Sequence, residues 1–481
     1  MPQGVIMGSL SVELNSFDVG SHKFDCQQIL PIHKKRLESS LSTYFLNRKD
    51  IRPLSSSEAG IPFHLKLEPG SPALFVNGEG TPLGKSTELR EIERVVRYYQ
   101  HVKLLPRVGM TPEDVIIKET ATKDSIRATR DASVPGTNGQ VIAGARIAED
   151  SLSLIRNIMF AIPTIGTNNP TVTHLGYYAG TFWMFFSLRE LKGGWHDYQR
   201  AVEIGDDEGR RRAEARILSG GIVSTATVSY LTGRVCDSLG LASASATALG
   251  AASILFGVGS VLSMGTSAVS AVRCYRFNER LNEYLENPHL NEAQRLEGAL
   301  RFLKDALIIT PEEKIALEKR IEKEHPEWSV EERADGLKKK LTDLAETKVK
   351  YLKRRTSNKS IQLIFEKSDP LLAKLAHEST RAEGVKEASE LVATVKRENR
   401  KKMILFLLAF LASTLCFIAM IATTVFSAGL APFIIYTIAG AISLGLGIYT
   451  LGGMWTQSYP AIEDSNSIQD LGPLEPHHMT I

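Results

Sequence analysis

The segment with the clearest potential for chemistry is glycine-rich, follows a short apolar run and ends in Gly-Lys-Ser-Thr at residues 84–87. A phosphate-binding loop ends in the same way, because its backbone amides and its lysine wrap the phosphates of a nucleotide, but it needs four residues between its first glycine and the Gly-Lys pair. Here five residues intervene after Gly78 and three after Gly80, and Pro82 removes one amide. We therefore predict a turn that caps the next helix, with no nucleotide bound by Lys85.

Histidines are the other side chains with potential for catalysis or metal binding. His196 and Asp197 follow a Gly-Gly pair, and His174 lies further upstream. Adjacent residues on a helix do not face each other, and no HExxH or GxSxG motif surrounds these three. His477 and His478 lie near the C-terminus, and two histidines alone make a poor metal site. We predict structural or surface roles for all of them and assign no catalytic, metal-binding or cofactor-binding residue.

The composition argues against several classes of protein. The chain has 481 residues, of which 43% are hydrophobic and 23% charged, which is typical of a folded protein. Its net charge of +3 is too small for the strongly basic field that duplex nucleic acid demands, so we expect no nucleic-acid partner. The four cysteines lack CxxC spacing, which favours a reducing compartment over a zinc site or a disulfide framework. Residues 1–30 lack the continuous apolar run of a cleaved signal peptide.

Two apolar segments near the C-terminus, residues 403–426 and 433–455, contain no charged residue and are separated by a short neutral loop. At 1.5 Å per residue each segment reaches about 35 Å, which is enough to cross a hydrocarbon core of about 30 Å. We therefore predict a transmembrane hairpin over residues 403–455, because the loop is too short for anything but an antiparallel return. Trp455 and Tyr459 lie where interfacial aromatic residues would anchor the second helix.

A basic cluster directly precedes the first apolar segment. It comprises Lys396, Arg397, Arg400, Lys401 and Lys402. The positive-inside rule holds this end in the cytoplasm, so we predict that both termini share the cytosolic side. Two further basic groups, at residues 210–212 and 348–355, fit a solvated helix face; they would contact anionic headgroups if their segments lie along a membrane.

Small residues recur at helical spacing in both apolar segments. They are Ala439, Ser443 and Gly447 in the second segment and Ala409 and Ser413 in the first. Small residues let membrane helices approach closely, so they predict tight packing within the hairpin or between hairpins of two copies. The alternative is that glycine and alanine are simply common in transmembrane helices.

The paired apolar segments, with a tight neutral loop, no signal peptide and charged helical sequence beside them, resemble the bilobed domain of chlamydial inclusion membrane (Inc-like) proteins. The resemblance covers residues 403–455. It implies secretion by a type III system, insertion in the vacuole membrane around the bacterium, both termini in host cytosol, and action through partner-binding helices. The chain departs from the commoner arrangement of that family, because about 400 residues precede its hairpin.

The predicted fold class is mainly α, a helical membrane-anchored protein with a small mixed α/β N-terminal region. By composition we divide the chain into a mixed α/β soluble region (1–132), a linker (133–150), a small-residue-rich helical region (151–275), a charged helical region (276–402), the transmembrane hairpin (403–455) and a disordered tail (456–481).

Three charge-free runs in the small-residue-rich region leave two alternatives open. They are residues 171–188, 217–233 and 238–272. Their glycine, alanine, serine and threonine allow close helix packing in a membrane but supply little free energy for insertion. The runs therefore fit either the buried helices of a water-soluble bundle or helices that lie in lipid.

Helix starts are well marked in the charged region. Thr310 and Ser329 each open a capping box, and the apolar residues that precede the membrane segment predict another helix, which starts near Asp369-Pro370 and continues into it. An apolar stripe of Leu337, Leu341 and Leu344 must pack either within the protein or against a partner helix.

We therefore predict a membrane-anchored interaction or scaffold protein rather than an enzyme. Its expected partners are the lipid bilayer, another protein bound through the helices of residues 276–402, and a second copy bound through the hairpin. A membrane-bound enzyme with a degenerate phosphate-binding loop is one alternative. A pore or translocation component is the other, and it would need the small-residue segments to insert as well.

Overall fold

The computed structural model shows a mainly helical protein. The residues that it describes are 13–19, 22–25, 30–47, 62–68, 71–76, 79–82, 94–95, 97–99, 101, 112–131, 145, 147–148, 150–156, 158–159, 170–426, 435, 437–446 and 448–449.

Five short strands near the N-terminus form one sheet in the order β2-β1-β3-β4-β5. Their bounds are Glu13–Val19 (β1), His22–Asp25 (β2), Pro62–Glu68 (β3), Ser71–Val76 (β4) and Glu79–Pro82 (β5). β1 and β3 pair in parallel, and the other neighbours are antiparallel. Since β5 pairs with β4 from Glu79 to Pro82, this part of the glycine-rich segment is a strand and not a phosphate-wrapping loop. Among the described residues of the same third of the chain, two continuous helices have defined bounds, α1 (Pro31–Asn47) and α2 (Pro112–Asp131), and shorter helical stretches include residues 97–99 and 150–156.

Four long helices pack side by side and form what we call the long-helix bundle. They are α3 (Pro170–Ile204), α4 (Asp207–Ser238), α5 (Ala242–Leu285) and α10 (Arg381–Phe426). α3 packs on α4, α4 on α5, and α5 on α10. Short connections join the first three helices, so they alternate in direction.

The register of the bundle follows from contacts along its length. Glu208 of α4 pairs with Arg273 of α5 at 3.1 Å, and Asn399 of α10 donates a hydrogen bond to the carbonyl of Cys274 at 2.7 Å. These contacts lie at one end, which we call the head end. The turn between α4 and α5, which includes Gly240 at a φ of 72°, lies at the far end.

The remaining helices form a charged head against the head end of the bundle. They are α6 (Glu292–Asp305), α7 (Pro311–Glu324), α8 (Val330–Lys353) and α9 (Asn358–Ala376). Their core includes the head-end turns of the two longest bundle helices, through Phe277 and Leu281 of α5 and Leu391 of α10. Leu37 of α1 and Tyr98 join the same core, so segments from the N-terminal third pack onto the head.

Both predicted capping boxes are confirmed. The side chain of Thr310 accepts from the amide of Glu313 while the Glu313 carboxylate accepts from the Thr310 amide, and Ser329 and Glu332 do the same. Pro311 takes the first position of α7, where its missing N–H leaves no bond unmade.

The predicted helix start at Asp369-Pro370 is wrong, because Pro370 lies inside α9. Ser357 caps the helix at an earlier start. Burial of Ile361 and Ile364 in the head core stabilises the helix enough to tolerate the loss of the backbone hydrogen bond that Pro370 cannot donate. The helix that enters the apolar segment is α10, which begins at Arg381. The compositional boundaries at residues 275 and 402 both fall inside continuous helices, α5 and α10.

Candidate functional site

The outward faces of the long-helix bundle are apolar. In α5 the exposed side chains Ile254, Val258, Val261, Val269 and Val272 lie three, four or eight residues apart, which places them on one face of the helix as a stripe. Matching exposed side chains are Tyr178, Phe185 and Leu188 in α3, Leu218, Val228 and Val235 in α4, and Leu407, Leu411, Ile418 and Ile421 in α10. Monomeric proteins in water rarely expose contiguous apolar patches of more than a few hundred Å². This surface therefore requires an apolar covering.

The inward faces of the bundle carry small and weakly polar side chains, the reverse of a helix bundle in water. A Cβ added at Gly220 would lie 3.0 Å from the amide nitrogen of Leu191 and 3.1 Å from the carbonyl oxygen of Ser187, so α3 and α4 approach closely. The hydroxyl of Ser224 donates to that of Ser187 at 2.9 Å. Close backbone approach and hydrogen bonds between hydroxyls are the packing mode of helices in membranes.

Two helices of the described chain, α5 and α10, are long and apolar enough to cross a membrane. The second predicted span, residues 433–455, is described at 435, 437–446 and 448–449, where α11 (Thr437–Leu446) is a shorter apolar helix. The predicted loop of the hairpin, Trp455 and Tyr459 lie outside the described residues.

The five small residues predicted to pack the hairpin have different surroundings. The hydroxyl of Ser413 lies 3.0 Å from that of Ser263 in α5, and Ala409 is half-buried. Ala439 is buried and Ser443 half-buried, whereas Gly447 lies outside the described residues. The contact of Ser413 with α5 joins positions 150 residues apart, which is why spacing within one segment gave no sign of it.

A cleft opens where α3, α4 and α8 meet at the head end, and we call it the junction cleft. Its main lining residues are Asp197, Arg200, Asp206, Gly209, Arg212, Arg216, Lys350, Tyr351 and Arg354. Gly205 follows α3 at a φ of 73°, a left-handed conformation that favours glycine, and Asp206 then caps α4. Asp206 accepts hydrogen bonds from the amide of Gly209, at 2.9 Å, and from the hydroxyl of Tyr351, which ties the bundle to the head.

Carboxylates of the junction are occupied by neighbouring cations. Asp197 accepts hydrogen bonds from Lys350 at 2.6 Å and from Arg216 at 2.9 Å. Burial would raise the pKa of Asp197, but the hydrogen bond and charge of Lys350 and the charge of Arg216 lower it below its ordinary value. The pKa of Glu208 is likewise lowered, because Arg212 and Arg273 outweigh the effect of its burial. The cleft thus joins the two basic groups, 210–212 and 348–355, that the sequence presents separately.

The predicted basic cluster on α10 lies at the same level as the junction cleft. Arg397, Arg400 and Lys401 are exposed, and Lys396 and Lys402 are half-buried. Between them, the carboxylate of Glu398 accepts hydrogen bonds from the Thr356 hydroxyl at 2.9 Å and the Ser360 hydroxyl at 2.7 Å, which fixes α10 to the start of α9. The cluster therefore marks the boundary between the head and the apolar part of the bundle.

The predicted leucine stripe packs within the chain. Leu341 is 5% exposed in a cluster with Ile204, Ile309, Leu317 and Ala345. Leu337 and Leu344 are partly buried against that cluster. Packing within the protein, the alternative to a partner helix, accounts for the stripe.

A second buried polar network joins the N-terminal segments to α5. The carboxylate of Glu283 accepts from Arg36 and from Arg94, each at 2.5 Å, and lies 3.4 Å from Nε2 of His33. Burial would raise the pKa of Glu283, but hydrogen bonds from His33 and Arg36 and the charge of Arg94 lower it to about 2. The network fixes these segments to the head.

The other sequence candidates do not assemble into a site. His174 and His196 are exposed on α3, and the neighbouring Asp197 binds Lys350 and Arg216 rather than a histidine. Lys85, His477 and His478 lie outside the described residues. Within the described part of the chain, no group of three or more His, Cys, Asp or Glu side chains has the geometry of a metal site.

Comparison of the chain with protein-family models, with curated proteins and with solved structures gives no match.

Proposed function

We propose that the protein is an integral membrane scaffold whose bundle lies in the bilayer and holds a charged helical head against one membrane face. The observation that supports this best is that α5 and α10 each belong to both parts. Phe277 and Leu281 of α5 and Leu391 of α10 are buried in the head core, while the same two helices, unbroken, supply Val258, Val261 and Leu407 to the apolar outer face. A head mounted on two continuous helices keeps a fixed orientation to the membrane.

The register of the bundle supports insertion of the whole bundle rather than of a hairpin alone. Ser413 lies well inside the apolar part of α10 and contacts Ser263, so this part of α5 must lie at the same depth. Gly259 of α5 packs near Val223 of α4. The small-residue run of α4 that contains Val223 therefore lies at the same depth as this part of α5. Large apolar side chains outside and small ones inside are expected where lipid, not water, is the solvent.

Several finer assignments remain proposals. Positive charge at the head end supports a head in the cytosol with both termini on that side. Partner binding through residues 276–402, self-association through the hairpin and an Inc-like effector role in a host vacuole membrane rest on sequence pattern and resemblance. A mixed α/β region at 1–132 has the support of the strands β1 to β5 and of α1 and α2. The head surface offers exposed mixed charge for a protein partner.

Two competing functions have weaker support. An enzyme would need its phosphate loop between Gly78 and Lys85, where the glycine spacing is wrong. Lys85→Ala should therefore leave the binding of ATP and GTP unchanged, and loss of measurable binding in that variant would favour the enzyme. A pore would need a polar lumen, whereas glycines of the described bundle helices pack against apolar side chains of their neighbours, Gly180 against Leu231, Gly233 against Leu249 and Gly257 against Met420.

Photolabelling tests the insertion. Full-length protein in native membranes would be labelled with a diazirine phospholipid, and the labelled peptides identified by mass spectrometry. We expect label at Val258, Val261 and Val269 of α5 as well as at Leu407 and Leu411 of α10, with none at the buried head residue Leu352. Label confined to α10, with α5 modified instead by a water-soluble carbene source, would contradict the inserted bundle.

Proximity labelling tests the scaffold. A biotin ligase placed in the exposed turn at Pro288-His289, between α5 and α6, would report proteins near the head in intact cells. The same ligase on an unrelated anchor in that membrane is the control. Reproducible enrichment of a protein over the control supports a scaffold, and a profile identical to the control contradicts it.

A further inference from the structure

We propose that the junction cleft binds the phosphate-bearing headgroup of an anionic phospholipid from the leaflet that faces the head, with Arg354 and Arg212 as the main donors. This inference rests on the proposed insertion of the bundle.

The cleft lies at the level where the charge-free runs end. Arg216 is the last charged residue before the run that begins at Ile217, and Arg273 directly follows the run that ends at Val272. Arg212 and Arg273 share the carboxylate of Glu208, and the thiol of Cys274 points to the backbone carbonyl of Arg354 at 4.0 Å. These contacts bring the start of α4, the end of the charge-free run of α5 and the end of α8 to one level, which is the depth of lipid headgroups when the bundle is inserted.

Positive charge exceeds negative charge in the cleft. Arg200, Arg216 and Lys350 have carboxylate partners, at Asp343, Glu190 and Asp197 respectively. Asp206, the other acid of the lining, is engaged by α4 and Tyr351. These contacts leave Arg212 and Arg354 to account for the remaining positive charge.

Arg212 and Arg354 are incompletely satisfied. Arg354 makes no ion pair with any described residue, although its side chain lines the cleft. Arg212 shares Glu208 with Arg273 and lies over the Tyr351 ring at 4.4 Å, and its buried Nε has no acceptor among the described atoms. Burial lowers the pKa of Arg354, and repulsion from Arg212 lowers it further. A phosphate between the two guanidinium groups would relieve this repulsion and accept bidentate hydrogen bonds.

A lipid is the favoured source of that phosphate because exposed cations continue around the bundle at the same level. They include Arg211 on α4, Arg276 on α5 and Arg400 and Lys401 on α10. Such a ring would draw anionic lipids to this leaflet, each cation contributing about 1 kcal/mol near the surface, or about a fivefold change in affinity. This ring of exposed cations would attract any anionic lipid without fixing its position, whereas the junction cleft would hold one headgroup in a defined position.

The test counts bound lipids on the full-length protein. Protein purified in an uncharged detergent would be titrated with dioleoyl phosphatidic acid or dioleoyl phosphatidylcholine, and complexes resolved by native mass spectrometry. Wild type should bind the first phosphatidic acid at least about fivefold more tightly than phosphatidylcholine. Arg354→Gln and Arg212→Gln should each weaken that first step about fivefold, and Arg354→Lys should retain part of it.

Arg211→Gln is the matched control, because it removes the same charge from an exposed position adjacent to Arg212 and outside the cleft lining. Equal weakening by Arg211→Gln and Arg354→Gln would overturn the defined site in favour of diffuse attraction. Equal wild-type affinity for the two lipids would also overturn it, whatever the folding of the variants. Displacement of the first phosphatidic acid by millimolar inorganic phosphate would assign the cleft to a soluble phosphate instead of a lipid. Photolabelling of α5 in the same variants separates the test of bundle insertion from the test of the cleft. Loss of lipid selectivity with unchanged labelling of α5 would contradict only the lipid site in the junction cleft.

Discussion

The side-chain oxygen of Ser413, in the middle of the first predicted membrane span, lies 3.0 Å from that of Ser263 in α5. This pair fixes α5 and α10 in antiparallel register together with Asn399, whose side chain reaches the carbonyl of Cys274 nearer the head. We predict that Ser263→Cys combined with Ser413→Cys will form a disulfide in full-length protein when an oxidant is added. Gel mobility before and after reduction measures it, in a Cys416→Ala background.

Ser263→Cys with Leu411→Cys is the control for this pairing, because Leu411 is 45% exposed on the outer surface of α10. Equal cross-linking of the two pairs would contradict the register.

Gly220 should be intolerant of a larger side chain. A Cβ at this position would meet backbone atoms of Leu191 and Ser187, so neither partner can move without shifting α3 as a whole. We expect Gly220→Val to lower stability by about 1 to 3 kcal/mol through overpacking, measured by thermal melting in detergent. Gly250→Val is the matched control, since a Cβ on Gly250 meets nothing within 4 Å. A similar loss in both variants would mean that helix propensity, not close packing, is responsible.

Stability should depend on pH through Glu283. The pKa of this carboxyl is about 2 in the folded protein and 4.5 in its ordinary state, so the folded form prefers the ionised group. Its contribution to stability is therefore fully present above about pH 4.5 and is lost as the pH falls towards 2. Glu283→Gln should melt at a lower temperature at pH 7 and lose less stability over that acidic range.

Glu279→Gln is the control for Glu283, because Glu279 reaches the same Arg36 at a longer distance of 3.4 Å from a more exposed position. Melting curves of the three proteins at a series of pH values decide the matter. Parallel curves for wild type and Glu283→Gln between pH 4.5 and 2 would exclude Glu283 as the source of the pH dependence.

Leu341→Asp should disrupt the head. Leu341 is 5% exposed beside Ile309 and Leu317, and a charge placed there has no partner in the cluster. We expect a loss of at least about 2 kcal/mol, the lower range for truncation of a buried leucine, and loss of a cooperative head transition. Val330→Asp, at a position 84% exposed in the same helix, should melt like wild type. An unchanged melting curve for Leu341→Asp would contradict burial of this leucine and would favour its role as a partner-binding residue.

Local signals in the sequence were sufficient where the structure is local. Each capping box joins two residues that are three positions apart, Thr310 with Glu313 and Ser329 with Glu332, and both boxes form as predicted. The start assigned to Asp369-Pro370 failed because proline is also tolerated inside a helix that burial stabilises, and burial depends on distant residues. The junction cleft was not predictable for the same reason, since Asp197 and Lys350 are 153 residues apart.

The position of α2 has a consequence for the number of times the chain passes through the bilayer. Ile126 of α2 packs against the head core, and α6 lies in the head, so the chain leaves the head after Asp131 and is back in it by Glu292. A path that starts and finishes on one side must cross an even number of times, yet α3, α4 and α5 supply three passages. The proposed topology therefore requires a fourth passage between Asp131 and Pro170, a stretch in which the structure describes residues 150–156 and 158–159 as helical. That stretch contains Arg156, whose guanidinium donates to the hydroxyl of Tyr230 at 3.0 Å. In this topology a tyrosine of α4 would therefore stabilise an arginine side chain that lies within the membrane.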